Sequence, residues 1–151
     1  MNATPTADDM MQAYAEDGVA YAAQTFDEPL DYSEASVERV EGILAKLFDA
    51  RPKGFFAKLL RSGPTPEQID QLAKALGGYV GEVMRRHWGG SWKVESAAFP
   101  GQSVITLELA NGGDVWPHFK VSKRLVNGPE DNVWHYFQTL REKPASARAG
   151  V

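Results

Sequence analysis

The chain has 151 residues, 43% of them hydrophobic, which is enough length and apolar content for one compact domain with its own core. Its net charge is −4 and it has no cysteine, so disulfides, thiolate chemistry and cysteine-based zinc or iron–sulfur sites are excluded. No run of about 18 apolar residues and no charged-then-apolar leader follows Met1, so neither a membrane span nor a secretory signal is expected, and the cytoplasm is the expected location.

The charge is unevenly placed. Residues 1–50 hold eleven acids against Arg39 and Lys46, a net −9, whereas the remainder holds 14 bases and 9 acids, a net +5. Phosphate binding needs clustered Lys and Arg, so nucleic acid is not the expected partner of the first half. Two readings stay open: the acidic layer docks on the basic layer of the same molecule, or it faces a basic partner protein.

Asn2 to Ala7 reads as frayed, and a first helix is expected from about Asp8 to Gln24, divided by Gly18. Asp31 and Glu34 have capping-box spacing ahead of Val37, Val40, Ile43, Leu44 and Leu47, which predicts a second helix ending near Ala50, before Pro52. Arg51 to Gly63 carries four bases and two apolar pairs. It reads either as a connector whose Phe55, Phe56, Leu59 and Leu60 pack on the core, or as a basic amphipathic element for an anionic membrane surface.

Thr65-Pro66-Glu67-Gln68 combines an N-cap, a proline at the first helical position, an early acid and a capping-box partner. The helix that follows buries Ile69, Leu72, Leu76, Val80, Val83 and His87 and stops at Gly89-Gly90. Gly77 and Gly81 lie one turn apart in line with Ala73. Glycine inside a helix costs roughly 1 kcal/mol relative to alanine, so this row predicts a face flattened for close packing.

The period then changes to two. Trp92 and Val94 alternate with Lys93 and Glu95, and Ile105, Leu107 and Leu109 with Val104, Thr106 and Glu108. Pro100-Gly101 separates these strands, and Asn111-Gly112-Gly113 makes a tight hairpin into a short strand at Asp114 to Trp116. A short helix follows from Phe119 to Val126. A last helix starts at Pro129-Glu130-Asp131, with Val133, Trp134, Phe137 and Leu140 as its apolar face. The expected fold is α+β: several helices packed on a three-stranded antiparallel β-meander, with two C-terminal helices. Residues 1–143 form one domain, 1–63 its acidic helical part and basic connector, and 144–151 a disordered tail.

The Gly-x-Tyr-x-Gly-Glu run from Gly77 to Glu82, the Gly-Gly-x-Trp of Gly89 to Trp92 and the Lys-Arg…Asn-Gly helix end from Lys123 to Gly128 resemble a family of small uncharacterised bacterial domains. The likeness covers Leu76 to Leu140, about half the chain, and implies no catalytic residues. By analogy, proteins of this size and acidity serve as immunity or adaptor proteins in bacterial toxin systems.

Catalytic and metal constellations are sparse. No two of His87, His118 and His135 have the i, i+4 spacing of a helical metal site, and no metal or cofactor is expected. The function expected is therefore noncatalytic protein binding, with Glu34, Glu38 and Glu41 as the recognition surface for a basic protein. Two alternatives stand beside it. One is a small hydrolase-like enzyme with Glu82 as general base, His118 beside it and Arg124 as partner of Glu82. The other is a peripheral membrane adaptor acting through Phe55 to Arg61.

Overall fold

A computed structural model describes residues 4–50, 64–96 and 103–143 of the chain. The basic aromatic stretch, with the membrane alternative that rests on it, lies outside these residues, as do the Pro100-Gly101 turn and the C-terminal tail. The described part is α+β, with three antiparallel strands in the order β1-β2-β3 and two helices after the sheet.

Helix α1 spans Ala7–Phe26 and opens with a capping box at Thr6 and Asp9, each side chain accepting the other residue's backbone N–H at 3.1 and 3.0 Å. This box begins the helix within the stretch expected to fray. Gly18 does not divide the helix. A Cβ there would meet the Ala75 carbonyl oxygen at 2.7 Å, so this glycine lets α1 press on α3, Pro66–Trp88. Gly78 answers from the other helix, facing the Tyr14 Cβ at 3.2 Å and the Ala15 nitrogen at 3.5 Å by the same construction.

Helix α2 runs Ser36–Asp49 with Ala35 at its N-cap, four residues later than a cap at Asp31 would set it. Asp31 accepts the backbone N–H of Ser33 at 3.0 Å and its hydroxyl at 2.6 Å, and the Ser33 hydroxyl accepts the Ser36 N–H at 3.2 Å. The acid therefore shapes a turn ahead of the helix instead of capping it.

Helix α3 begins as its sequence demands, with Thr65 and Gln68 closing a capping box at 3.1 and 2.9 Å and Pro66 at the first position. It ends at Gly89, whose φ of 80° favours glycine. Along it Leu76, Val80 and Val83 are buried, while His87 is exposed and bonds the Tyr32 carbonyl at 2.8 Å through Nε2, so the buried stripe ends one turn earlier than expected.

Strands β1, Gly90–Ser96, and β2, Ser103–Leu109, pair with Trp92 opposite Leu107 and Val94 opposite Ile105; β3, Asp114–Val115, sets Val115 opposite Leu107. Trp92, Ile105, Leu107, Leu109 and Val115 fill the inner face. Helix α4, Pro117–Asn127, starts directly after the sheet and packs against α3. A 3-10 turn at Pro129–Asp131 precedes α5, Val133–Glu142, so Pro129 opens the turn and Asn132 caps the helix by accepting the His135 N–H at 2.8 Å. Helix α3 is the centre of the arrangement: α1 and α4 both pack on it, and α2 closes over α4 and α5.

Candidate functional site

Gly81 places the first polar cluster. The close approach it allows brings the Trp92 indole onto α3, where the indole N–H donates to Glu82 Oε2 at 2.9 Å. Glu82 is fully buried, and Arg85 binds it through two parallel bonds, Nε to Oε2 at 2.6 Å and Nη2 to Oε1 at 3.0 Å. Arg86 adds a second guanidinium at 3.6 Å. Burial alone would push this carboxyl up, but the Arg85 and Trp92 hydrogen bonds and the two arginine charges outweigh it and hold the group below its ordinary value. Glu82 is therefore a committed anion at neutral pH, not a base poised to take a proton.

Arg124 does not join it. Its guanidinium Nε donates to both oxygens of Glu41, at 3.1 and 2.9 Å, and the Val133 backbone N–H reaches Glu41 Oε1 at 2.8 Å. Arg124 is 2% and Glu41 8% exposed, so a carboxylate from α2 ties α4 to the start of α5 inside the molecule. This corrects two expectations. Glu82 takes its partners from its own helix and from β1 because they lie within reach of a buried oxygen, and Glu41 is no part of a solvated face.

Glu34 and Glu38 lie apart from Glu41 in environment. Glu34 is half-buried and accepts the Trp88 indole N–H at 3.1 Å, and Glu38 is exposed. The three acids thus form no common surface patch: Glu38 is exposed, Glu34 half-buried and Glu41 buried. In one more place the acidic half docks on the rest: Asp8 accepts the Trp92 backbone N–H at 2.7 Å.

His118 lies in the first turn of α4, its backbone pressed so near Gly77 that a Cβ there would meet the His118 Cα at 2.8 Å. Its Nε2 is 3.2 Å from Asp70 Oδ1, and Lys74 holds the other Asp70 oxygen at 2.8 Å. Burial lowers the His118 pKa, with Asp70 opposing the shift. The ring is neutral near pH 7, and its buried Nδ1 has no hydrogen-bond partner among the described residues. Glu82, His118 and Arg124 thus belong to three separate partner sets and share no hydrogen bond.

A cleft that the sequence reading missed opens at the start of α4. Trp116, Phe119 and Tyr136 form its aromatic wall and Lys120, Ser122 and Lys123 its polar edge, around a volume of about 340 Å³. The i, i+3, i+4 spacing of Phe119, Ser122 and Lys123 was its only local signal, and Tyr136 arrives from another helix. Among the described residues, no cluster of three His, Asp or Glu side chains could hold a metal ion, and no helix is long and apolar enough to cross a membrane. No protein-family model, curated protein or solved structure matches the chain.

Proposed function

We propose that this chain is a noncatalytic protein-binding module of the bacterial cytoplasm, of the immunity or adaptor kind, whose partner is a protein with a basic face and not a nucleic acid. One observation supports the reading most: the buried carboxylates Glu82 and Glu41 are consumed in internal pairs. Glu82 is closed by Arg85 and Trp92 and Glu41 by Arg124 and Val133, while the half-exposed Asp70 is held by Lys74 and His118. Charge without such a commitment lies outside, and in the first half it is negative. Glu16, Asp17 and Glu38 are all exposed on α1 and α2. Such a field steers encounter with a basic partner.

The test is affinity capture from native-host lysate by the tagged wild type and by the Glu16→Lys, Asp17→Lys, Glu38→Lys triple variant. Glu41 is left untouched because it holds the fold together. A discrete basic protein retained by the wild type, released by salt and lost in the variant is the expected result. A partner retained equally by both would remove the acidic face from recognition.

A further inference from the structure

We propose that the cleft between α4 and α5 binds a short acidic peptide segment, with an apolar side chain seated on the Trp116, Phe119 and Tyr136 rings and a flanking carboxylate on Lys123. This deepens the binding-module reading and rests on it, but uses a different surface.

Each ring of the aromatic wall has a partner within the chain. The Trp116 indole N–H donates to the Thr106 hydroxyl at 2.9 Å, which leaves the ring no need of a polar partner in the cleft. Burial pushes the Tyr136 hydroxyl up to about 12 against a hydrogen bond from the Trp116 backbone, so the phenol stays neutral and brings no negative charge to the cleft. Phe119 is 43% exposed and stacks on the His118 ring with centroids 5.3 Å apart, which presents its other face outward. Preorganised rings lose little entropy on binding an apolar group.

The polar edge sets the sign of the ligand. Lys120 is held by Asp131 at 3.1 Å and lies 5.4 Å from the Tyr136 ring centroid, so its charge is partly spent. Lys123 is exposed and makes no direct ion pair among the described residues, although its charge is near enough to Asp131 to help hold that carboxyl low. An apolar floor edged by two ammonium groups, Lys120 and Lys123, against the one Asp131 carboxylate that both act on keeps a positive balance and complements an apolar residue beside Asp or Glu. A polyanion such as single-stranded nucleic acid finds the same rings to stack on, but two lysines that share the Asp131 carboxylate provide little of the basic track it requires.

The test is a nitrogen-15 NMR titration of the full chain with the peptide acetyl-Glu-Asp-Phe-Asp-Glu-amide. Its controls are acetyl-Lys-Lys-Phe-Lys-Lys-amide and a ten-nucleotide oligothymidylate. Saturable shifts at the Trp116 indole, Phe119, Lys123 and Tyr136 with the acidic peptide alone are expected. Binding should weaken about fivefold or more in Lys123→Glu, and be lost in Phe119→Ala, with the spectrum elsewhere unchanged. No shift at the cleft, equal binding by Lys123→Glu, or tighter binding of the oligothymidylate would overturn the proposal, the last by making the cleft a nucleic-acid groove. The outcomes separate from the capture experiment. A silent cleft with a partner that still depends on Glu16, Asp17 and Glu38 sinks only the cleft, whereas peptide binding without such a partner sinks only the acidic face.

Discussion

The Trp92 indole lies against Gly81 so closely that a Cβ on the glycine would overlap its six-membered ring, while the indole N–H is spent on Glu82, the next residue of the helix, at 2.9 Å. Side-chain absence at one position and a buried charge at the next are thus parts of one contact. A methyl on Gly81 would push the ring outward and strip a donor from a buried carboxylate. Gly81→Ala is therefore expected to cost about 1 to 3 kcal/mol and Gly81→Leu more, read by thermal melting. An unchanged melting temperature in Gly81→Leu would show that the indole can slide aside without cost.

The Glu41–Arg124 pair carries a different expectation, because both partners are buried and the carboxylate also accepts the first N–H of α5. Removing Arg124 leaves Glu41 buried without its counter-charge and with the Val133 N–H as its remaining bond, so Arg124→Leu should cost about 3 to 5 kcal/mol in denaturant unfolding. The Glu41→Leu, Arg124→Leu double variant should be less destabilised than the sum of the singles. Additive losses would mean that the two side chains act independently despite their contact.

These two clusters show where the sequence was legible and where it was not. The start of α3 could be read because Thr65, Pro66 and Gln68 act within one turn, and the strands because Ile105, Leu107 and Leu109 repeat at the period of the sheet. The Gly77 and Gly81 row announced close packing before any neighbour was known, since glycine in a helix needs a reason. What it packs against, Pro117, His118 and Trp92, was not legible, because contacts between elements leave no local spacing. The same limit hid Glu41, which has the helical position of an acid on α2 and meets Arg124 only after 83 residues of chain. The Asp31 and Glu34 pair misled for a local reason: Asp31 bonds Ser33 two residues on, a turn that competes with capping.

Acid should destabilise the fold in a window that His118 marks. Burial depresses its pKa in the folded state, so protons bind the unfolded chain more readily. That contribution to stability is full above the unfolded value of about 6.5, and is lost as pH falls through the lower folded value. Glu82 and Asp70 act in the same direction at lower pH, since their folded pKa values are also lowered. The melting temperature should therefore fall on acidification from pH 7 to 5, and the slope should flatten in His118→Asn. An equal slope in the variant would mean that other groups carry the dependence.

The buried hydroxyl of Tyr79 ties the loop ahead of α2 to the central helix. It accepts the Tyr32 backbone N–H at 2.8 Å and shares a hydrogen bond of 2.6 Å with Ser36, a residue 1% exposed. Tyr32 itself has a φ of 63°, unusual for a side chain of its size, so the bond from its N–H helps to hold a strained backbone. Tyr79→Phe keeps the ring and its tilted contact with Tyr32, at 4.8 Å between centroids, but leaves a donor, the Tyr32 N–H, and an acceptor, the Ser36 hydroxyl oxygen whose own hydrogen goes to the Ser33 carbonyl, without the Tyr79 hydroxyl. The expected loss is about 1 to 3 kcal/mol. Because the missing bonds lie at one loop, amide hydrogen exchange should speed up at Tyr32 and Ser36 more than in the middle of α3. Uniform acceleration across the molecule would show that the hydroxyl supports the whole fold equally, and unchanged exchange at Tyr32 would remove it as the anchor of that loop.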